Sequence, residues 1–276
     1  MVNPSLLPAI RETIKQNEIG NETPYRLSYA RLGKSGASFG IMQGDTNVSA
    51  LARTTLRNAL ASARLPQATI DRCLAAVSKP LPQGSPLLPA DAKAVDAALS
   101  APSGRLLVDR MDDELLKTVL AGLEECLAAA ATRRFAIEPR ALLYIAPWIN
   151  MSGPPTLLSS WFAGAPALGL PPPPGPGITE QDVTLYLQAT VYFQAHPKNF
   201  VHLTECVAEG AKLLPPEEHP GALSMHFGTR LAAASHGPFG AGDGPNVKTL
   251  EEQLKEDEVV FTAAAGPHGG GDDPST

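Results

Sequence analysis

The segment Gly33-Lys34-Ser35-Gly36-Ala37-Ser38-Phe39-Gly40-Ile41-Met42-Gln43-Gly44-Asp45 packs four glycines into thirteen residues, so backbone must come close to something here. Three chemistries are open to it. A phosphate loop requires a glycine five residues before Gly33 and a strand ahead of it; Ser28 stands at that position, and no Val/Ile/Leu run precedes the loop. A plain surface turn accounts for Gly and Ser but not for the apolar Phe39-Gly40-Ile41-Met42-Gln43 cluster. The floor of a ligand cleft accounts for both. Small residues such as Ser38 and Gly40 let a polymer lie against backbone, Phe39, Ile41 and Met42 anchor the loop in a core, and Gln43 offers an amide suited to a sugar hydroxyl.

Ser38-Phe39-Gly40-Ile41-Met42-Gln43-Gly44-Asp45 resembles the G-F-G-L-M-Q-V-D segment of goose-type lysozymes and is similar to the G-L-M-Q motif of lytic transglycosylases. In those families a helix ends in the catalytic Glu and this motif follows after a loop; here Glu18 and Glu22 both lie near the end of the first helical segment. Downstream, Trp148-Ile149-Asn150-Met151-Ser152-Gly153-Pro154-Pro155-Thr156-Leu157-Leu158 resembles the F-N-x-G…T-L-L segment that closes the cleft of phage-type lysozymes. The resemblance implies a lysozyme-like helical domain that cleaves β-1,4 linkages of peptidoglycan or a related amino-sugar polymer, as a muramidase or a lytic transglycosylase, with no cofactor or metal. A chitosanase-like hydrolase on the same scaffold, or a glycan-binding module without turnover, stands as the alternative. The family's Glu-Ser pair and its later Tyr-rich motif are absent.

Such cleavage needs a carboxyl that stays protonated near neutral pH, hence one whose pKa an apolar setting raises. Glu18 fits by burial, sharing a helical face with Ile10 and Ile14 at the negative end of a helix. Glu22 fits by its spacing to the Phe39–Gln43 motif, although Gly20-Asn21-Glu22-Thr23-Pro24 reads as an exposed turn. Both remain candidates. Asp45, which matches an Asp of goose-type lysozymes, is the candidate second carboxylate; the competing role is capping of the next helix by Asp45, Thr46 or Asn47. Gly40, Gln43 and Asn150 are the expected glycan contacts. Tyr25, Tyr29, Trp148 and Trp161 offer rings for sugar stacking or for the core, Trp148 beside Asn150 being the best placed. His196, His202 and Cys206 match no standard zinc spacing. The acidic run Asp112-Asp113-Glu114 reads as a solvated helix face.

These residues need a scaffold. The 276-residue chain is 43% hydrophobic and 18% charged, with room for a full core. Its net charge of -6 disfavours a nucleic-acid partner, since phosphate binding needs a basic field. Cys73, Cys126 and Cys206 are widely spaced and read as reduced thiols. The start has no charged segment followed by an apolar core, so no classical signal peptide is expected, and no membrane span; the reading is a cytoplasmic protein or one exported by another route.

Helical patterning is expected over about 4–19 with Gly20 as C-cap, from Val48 to Leu60, near 67–78 and 90–100, and over a long segment near 105–132. Pro147 is expected to kink or break the apolar helix at 141–150. Residues 25–44 read as a loop with a small hairpin. The fold class is thus mainly α with a minor β element. The expected organisation is a domain over 1–164, a Pro-rich stiff linker over 165–178, a helical segment over 179–214 opened by a cap at Thr179, and a disordered tail over 215–276 with one amphipathic stretch from Leu250 to Phe261.

Overall fold

The computed structural model describes residues 1–29, 35–80 and 86–216. The Leu250 to Phe261 stretch, the tail beyond 216, and Gly33 and Lys34 lie outside the described residues. The molecule is mainly helical with a small antiparallel sheet. After a short 3-10 turn at Pro4–Leu6, α1 spans Leu7–Glu18 and buries Ala9, Ile10, Thr13 and Ile14. Gly20 takes φ +55° and donates its amide to Lys15 O at 3.0 Å, the left-handed exit that the sequence reading places there.

The hairpin region forms a three-stranded sheet of β1 (Ser28–Tyr29), β2 (Ala37–Phe39) and β3 (Gly44–Asp45), in the order β1-β2-β3. Ser28 pairs with Ser38, and Phe39 with Gly44. Gly40 to Gln43 form the turn between β2 and β3. Then come α2 (Ala50–Ser62), α3 (Gln67–Val77), α4 (Pro89–Ser100) and α5 (Pro102–Thr132). At 31 residues α5 runs for about 46 Å. The two-residue β4 (Ala136–Ile137) leads into α6 (Pro139–Ser152), and α7 (Thr156–Phe162) follows. Pro147 does not break α6: every residue from Ala141 to Ile149 is buried, so packing on all sides holds the helix through the missing hydrogen bond.

Residues 165–178 are not a spacer. Ala167, Pro173 and Ile178 are buried, and β5 (Gly177–Ile178) pairs in parallel with β4. The cap expected at Thr179 is present, as a capping box with Asp182, and opens α8 (Glu180–Ala189); α9 (Val191–Ala195) and α10 (Pro197–Ala211) complete the described chain. α10 lies along α1 so closely that a Cβ on Gly210 would come to 1.9 Å of Thr13 Oγ1. The segment 179–214 therefore belongs to the same core as α1 and α6.

Two apolar clusters share α5. One gathers the sheet residues Ala37 and Phe39 with α2, α3, α4 and the first half of α5 through Val108 and Met111. The other gathers α1, the second half of α5 from Leu116 onward, and α6 to α10. Phe39 belongs to the first cluster and Met42 to the second, so the Gly40–Gln43 turn bridges the seam between them.

Candidate active site

Glu18 is the last residue of α1 and is partly buried. Its Oε1 accepts from Asn150 Nδ2 at 3.0 Å and from Asn17 Nδ2 at 3.2 Å. Oε2 accepts no hydrogen bond among the described residues. Asn17 also points its amide at Met151 Sδ, 3.8 Å away, which ties the end of α1 to the end of α6. Burial pushes the Glu18 carboxyl up to about 7 against the pull of the Asn150 and Asn17 hydrogen bonds. Its charge is also felt from α9 and α10: it adds to the burial that raises the Tyr192 phenol and that pushes the Cys206 thiol up to about 12. Because Oε1 accepts two N–H donors, the proton of the neutral acid sits on Oε2. That is the geometry of a proton donor held by one anchored oxygen.

Glu22 has a different setting. It is exposed and paired with Arg26, while its amide closes the turn onto Ile19 O at 2.9 Å. Of the two glutamates, only Glu18 is held among buried residues.

Asp45 accepts from Gly36 N at 3.0 and 3.2 Å and from Asn47 N at 2.6 Å. Its carboxylate thus shapes the loop around β3. The cap of α2 is Ser49, whose Oγ accepts from Ala52 N at 3.1 Å, and none of the three residues expected there. Gly36 leaves no room for a side chain: a Cβ there would meet Val77 O at 2.5 Å and Asn47 N at 2.8 Å.

The turn is a built object. Gly40 N donates to Pro24 O at 2.8 Å, tying it to the segment that leaves α1. Gln43 is left-handed at φ +49°, its Nε2 donates to Gly40 O at 2.9 Å, and its Oε1 accepts from Ser28 Oγ at 2.6 Å. The amide expected to reach a ligand is thus first fixed by the protein, with one N–H and one lone pair left over. Ser38 and Met42 are buried at 8% and 5% exposure; Ser38 O accepts from Ser28 Oγ at 3.2 Å.

The aromatic candidates are largely core. Trp148 is 9% exposed and packs on Phe193 with centroids 5.7 Å apart, which leaves little face for a sugar. Trp161 packs on Tyr186 and donates Nε1 to Pro171 O at 2.8 Å. Tyr25 donates its hydroxyl to Asp109 at 2.9 Å and carries the Arg105 guanidinium over its ring at 5.0 Å. On α10, His202 Nε2 stands 3.5 Å from Cys206 Sγ, and no group of three metal-capable side chains forms among the described residues.

Asp112 corrects the sequence reading. It is not on a solvated face but 1% exposed, with Oδ2 accepting from Ile41 N at 2.9 Å and Oδ1 from Met42 N at 3.0 Å. Burial raises its carboxyl to about 6, against the two backbone hydrogen bonds. The signal was present: Val108, Asp112, Leu116 and Val119 fall on one helical face, and three of the four are apolar.

Comparison of the chain with known protein families, curated proteins and solved structures found no match. No helix among the described residues is long and apolar enough to cross a membrane.

Proposed function

We propose that the protein is a lysozyme-like enzyme that cleaves β-1,4 linkages of N-acetylated amino-sugar polymers, with peptidoglycan as the first substrate and Glu18 as the general acid. One observation carries the reading: a carboxyl at a helix end, raised by burial to about 7, has one oxygen anchored by Asn150 and Asn17 and the other without a hydrogen bond among the described residues. A carboxyl so held is half protonated near neutral pH, which suits proton donation to a leaving oxygen. The contact also joins the helix end that carries the candidate acid to the Trp148–Leu158 segment, which resembles the cleft-closing segment of phage-type lysozymes.

In this reading Glu18 Oε2 gives its proton to the glycosidic oxygen as the C1–O bond breaks. The carboxylate left behind takes a proton from the hydroxyl that then attacks C1. The Gly40–Gln43 turn forms the floor of the cleft. Asp45 spends its oxygens on the Gly36 and Asn47 amides, and this favours a single-acid route in which a hydroxyl of the sugar itself attacks C1.

Purified protein incubated with peptidoglycan sacculi tests this. Soluble muropeptides should appear, and their masses read the route: products lighter by one water mean an internal anhydro sugar, and new reducing ends mean hydrolysis. Binding to sacculi without release of fragments would replace the enzyme with a glycan-binding module.

A further inference from the structure

A buried carboxylate whose partners are two consecutive turn amides is there for those amides; an apolar residue could fill the same space but would leave both N–H groups without this acceptor. Asp112 is such a group. It sits on α5 between Met111 of one core cluster and Leu116 of the other. Its oxygens hold Ile41 N and Met42 N at 2.9 and 3.0 Å, and a Cβ on Gly40 would come to 2.4 Å of Oδ1. Gly40 O is the acceptor for the Gln43 side-chain amide. Gln43 keeps a left-handed backbone, a conformation that must be over-determined by its surroundings to persist. On the next residue, Asp113 Oδ1 accepts from Arg11 Nη1 of α1 at 2.6 Å. Consecutive carboxylates of one helix thus hold the turn that carries Gln43 and the helix that ends in Glu18.

We propose that Asp112 is a positioning residue of this site: its grip on the Ile41 and Met42 amides sets where the Gln43 amide stands toward the bound ligand. That the ligand is a glycan rests on the function proposed above; the clamp does not.

The grip depends on charge. A carboxylate accepts both amides, whereas the protonated acid turns an O–H toward one of the N–H donors and releases it. Facing Asp112, Arg11 on α1 favours the charged form and Asp109, one turn back on α5 and hydrogen-bonded to Tyr25 from the segment after α1, opposes it. With burial dominant and the carboxyl at about 6, the clamp closes as pH rises through that value. Glu18 carries its proton up to about 7. The two requirements overlap only in a narrow band, so activity follows a bell with an acid limb from Asp112 and a basic limb from Glu18.

Nuclear magnetic resonance of the full chain tests the clamp without reference to substrate. In the wild type, the Ile41 and Met42 amides and the Gln43 side-chain NH2 should titrate together with one midpoint near 6, and the Gln43 NH2 should exchange faster below it. In Asp112→Asn that midpoint should vanish and the Gln43 NH2 should exchange fast at every pH, with the α6 signals unmoved. On peptidoglycan the variant should lose the acid limb and raise KM several-fold, no more than loss of the Gln43 amide itself would, with kcat changed less. A Gln43 NH2 that does not titrate in the wild type overturns the proposal, and this holds even if Asp112→Asn fails to fold. So does one unchanged in the variant. A wild type that neither binds nor cuts glycan removes the proposed function instead, and the Gln43 signals still decide the clamp.

Discussion

Asn150 donates its side-chain amide to Glu18 Oε1 at 3.0 Å across 132 residues of sequence, so the end of α6 orients the carboxyl that ends α1. This contact turns a helix-end glutamate into an anchored acid. Asn150→Ala should raise the Glu18 pKa further above about 7, because the lost hydrogen bond is one that lowers it. A carboxyl-carbon titration reads the shift directly. An unchanged or lower midpoint would mean that the amide does not hold the carboxyl in solution.

Glu18 should make the protein less stable as pH rises. Its folded pKa of about 7 lies above the ordinary 4.5, so between those values the folded state binds more protons than the unfolded chain and stability falls. The full cost, reached above pH 7, is about 3 kcal/mol at 1.36 kcal/mol per unit. Glu18→Gln should remove it. The variant should melt higher than the wild type under mildly alkaline conditions and close to it at pH 4, the trade of stability for function expected at an active site. Equal melting curves at both pH values would show that the carboxyl is not desolvated.

Phe39 and Gln43 should separate anchoring from recognition. Phe39 is fully buried in the sheet-side cluster, and Phe39→Ala should cost about 3–5 kcal/mol of unfolding free energy. Gln43→Ala should leave the fold intact and weaken glycan binding several-fold, since one uncharged hydrogen bond contributes about 0.5–1.5 kcal/mol. Denaturant unfolding and binding of an N-acetylglucosamine oligomer check the pair. Equal and small effects would reduce the stretch to an ordinary loop.

α10 should keep Glu18 dry. At Gly210 an added Cβ would meet Thr13 Oγ1 at 1.9 Å and Ala9 O at 2.8 Å, so Gly210→Ala must push α10 off α1. The cost should be about 1–3 kcal/mol, with a Glu18 pKa moved down toward 4.5 as water enters. A variant with wild-type stability and an unmoved Glu18 titration would break that link.

Much of the helical scaffold was legible, because Gly20, Thr179 and the apolar spacing in α3 to α5 are local signals; the cap of α2 was sought at Asp45 to Asn47 and lies at Ser49. What was not legible is tertiary. Pro147 reads as a breaker until the burial of Ala141 to Ile149 is known. PPPPGPG reads as a spacer until Pro173 O is seen to accept from Arg133 at 2.8 Å and Ile178 to fill the core. At the site, Glu18 against Glu22 stayed open because burial of a helix end depends on α10, nearly two hundred residues away. Asp112 was misread because the charge of a three-residue acidic run masked the apolar period on which it lies. The four glycines mark close approach, but only packing shows that Gly36 meets Val77 O and Gly40 meets Asp112.

Digestion of peptidoglycan by the wild type, Glu18→Gln and Glu22→Gln, compared on the same sacculi and near pH 6.5, bears most directly on Glu18 as the acid. The wild type should release soluble fragments, and Glu22→Gln should release them at a similar rate. Glu18→Gln should lose at least about a hundredfold while still melting as a folded protein. A Glu18→Gln variant as active as the wild type, or activity lost in Glu22→Gln alone, would contradict it.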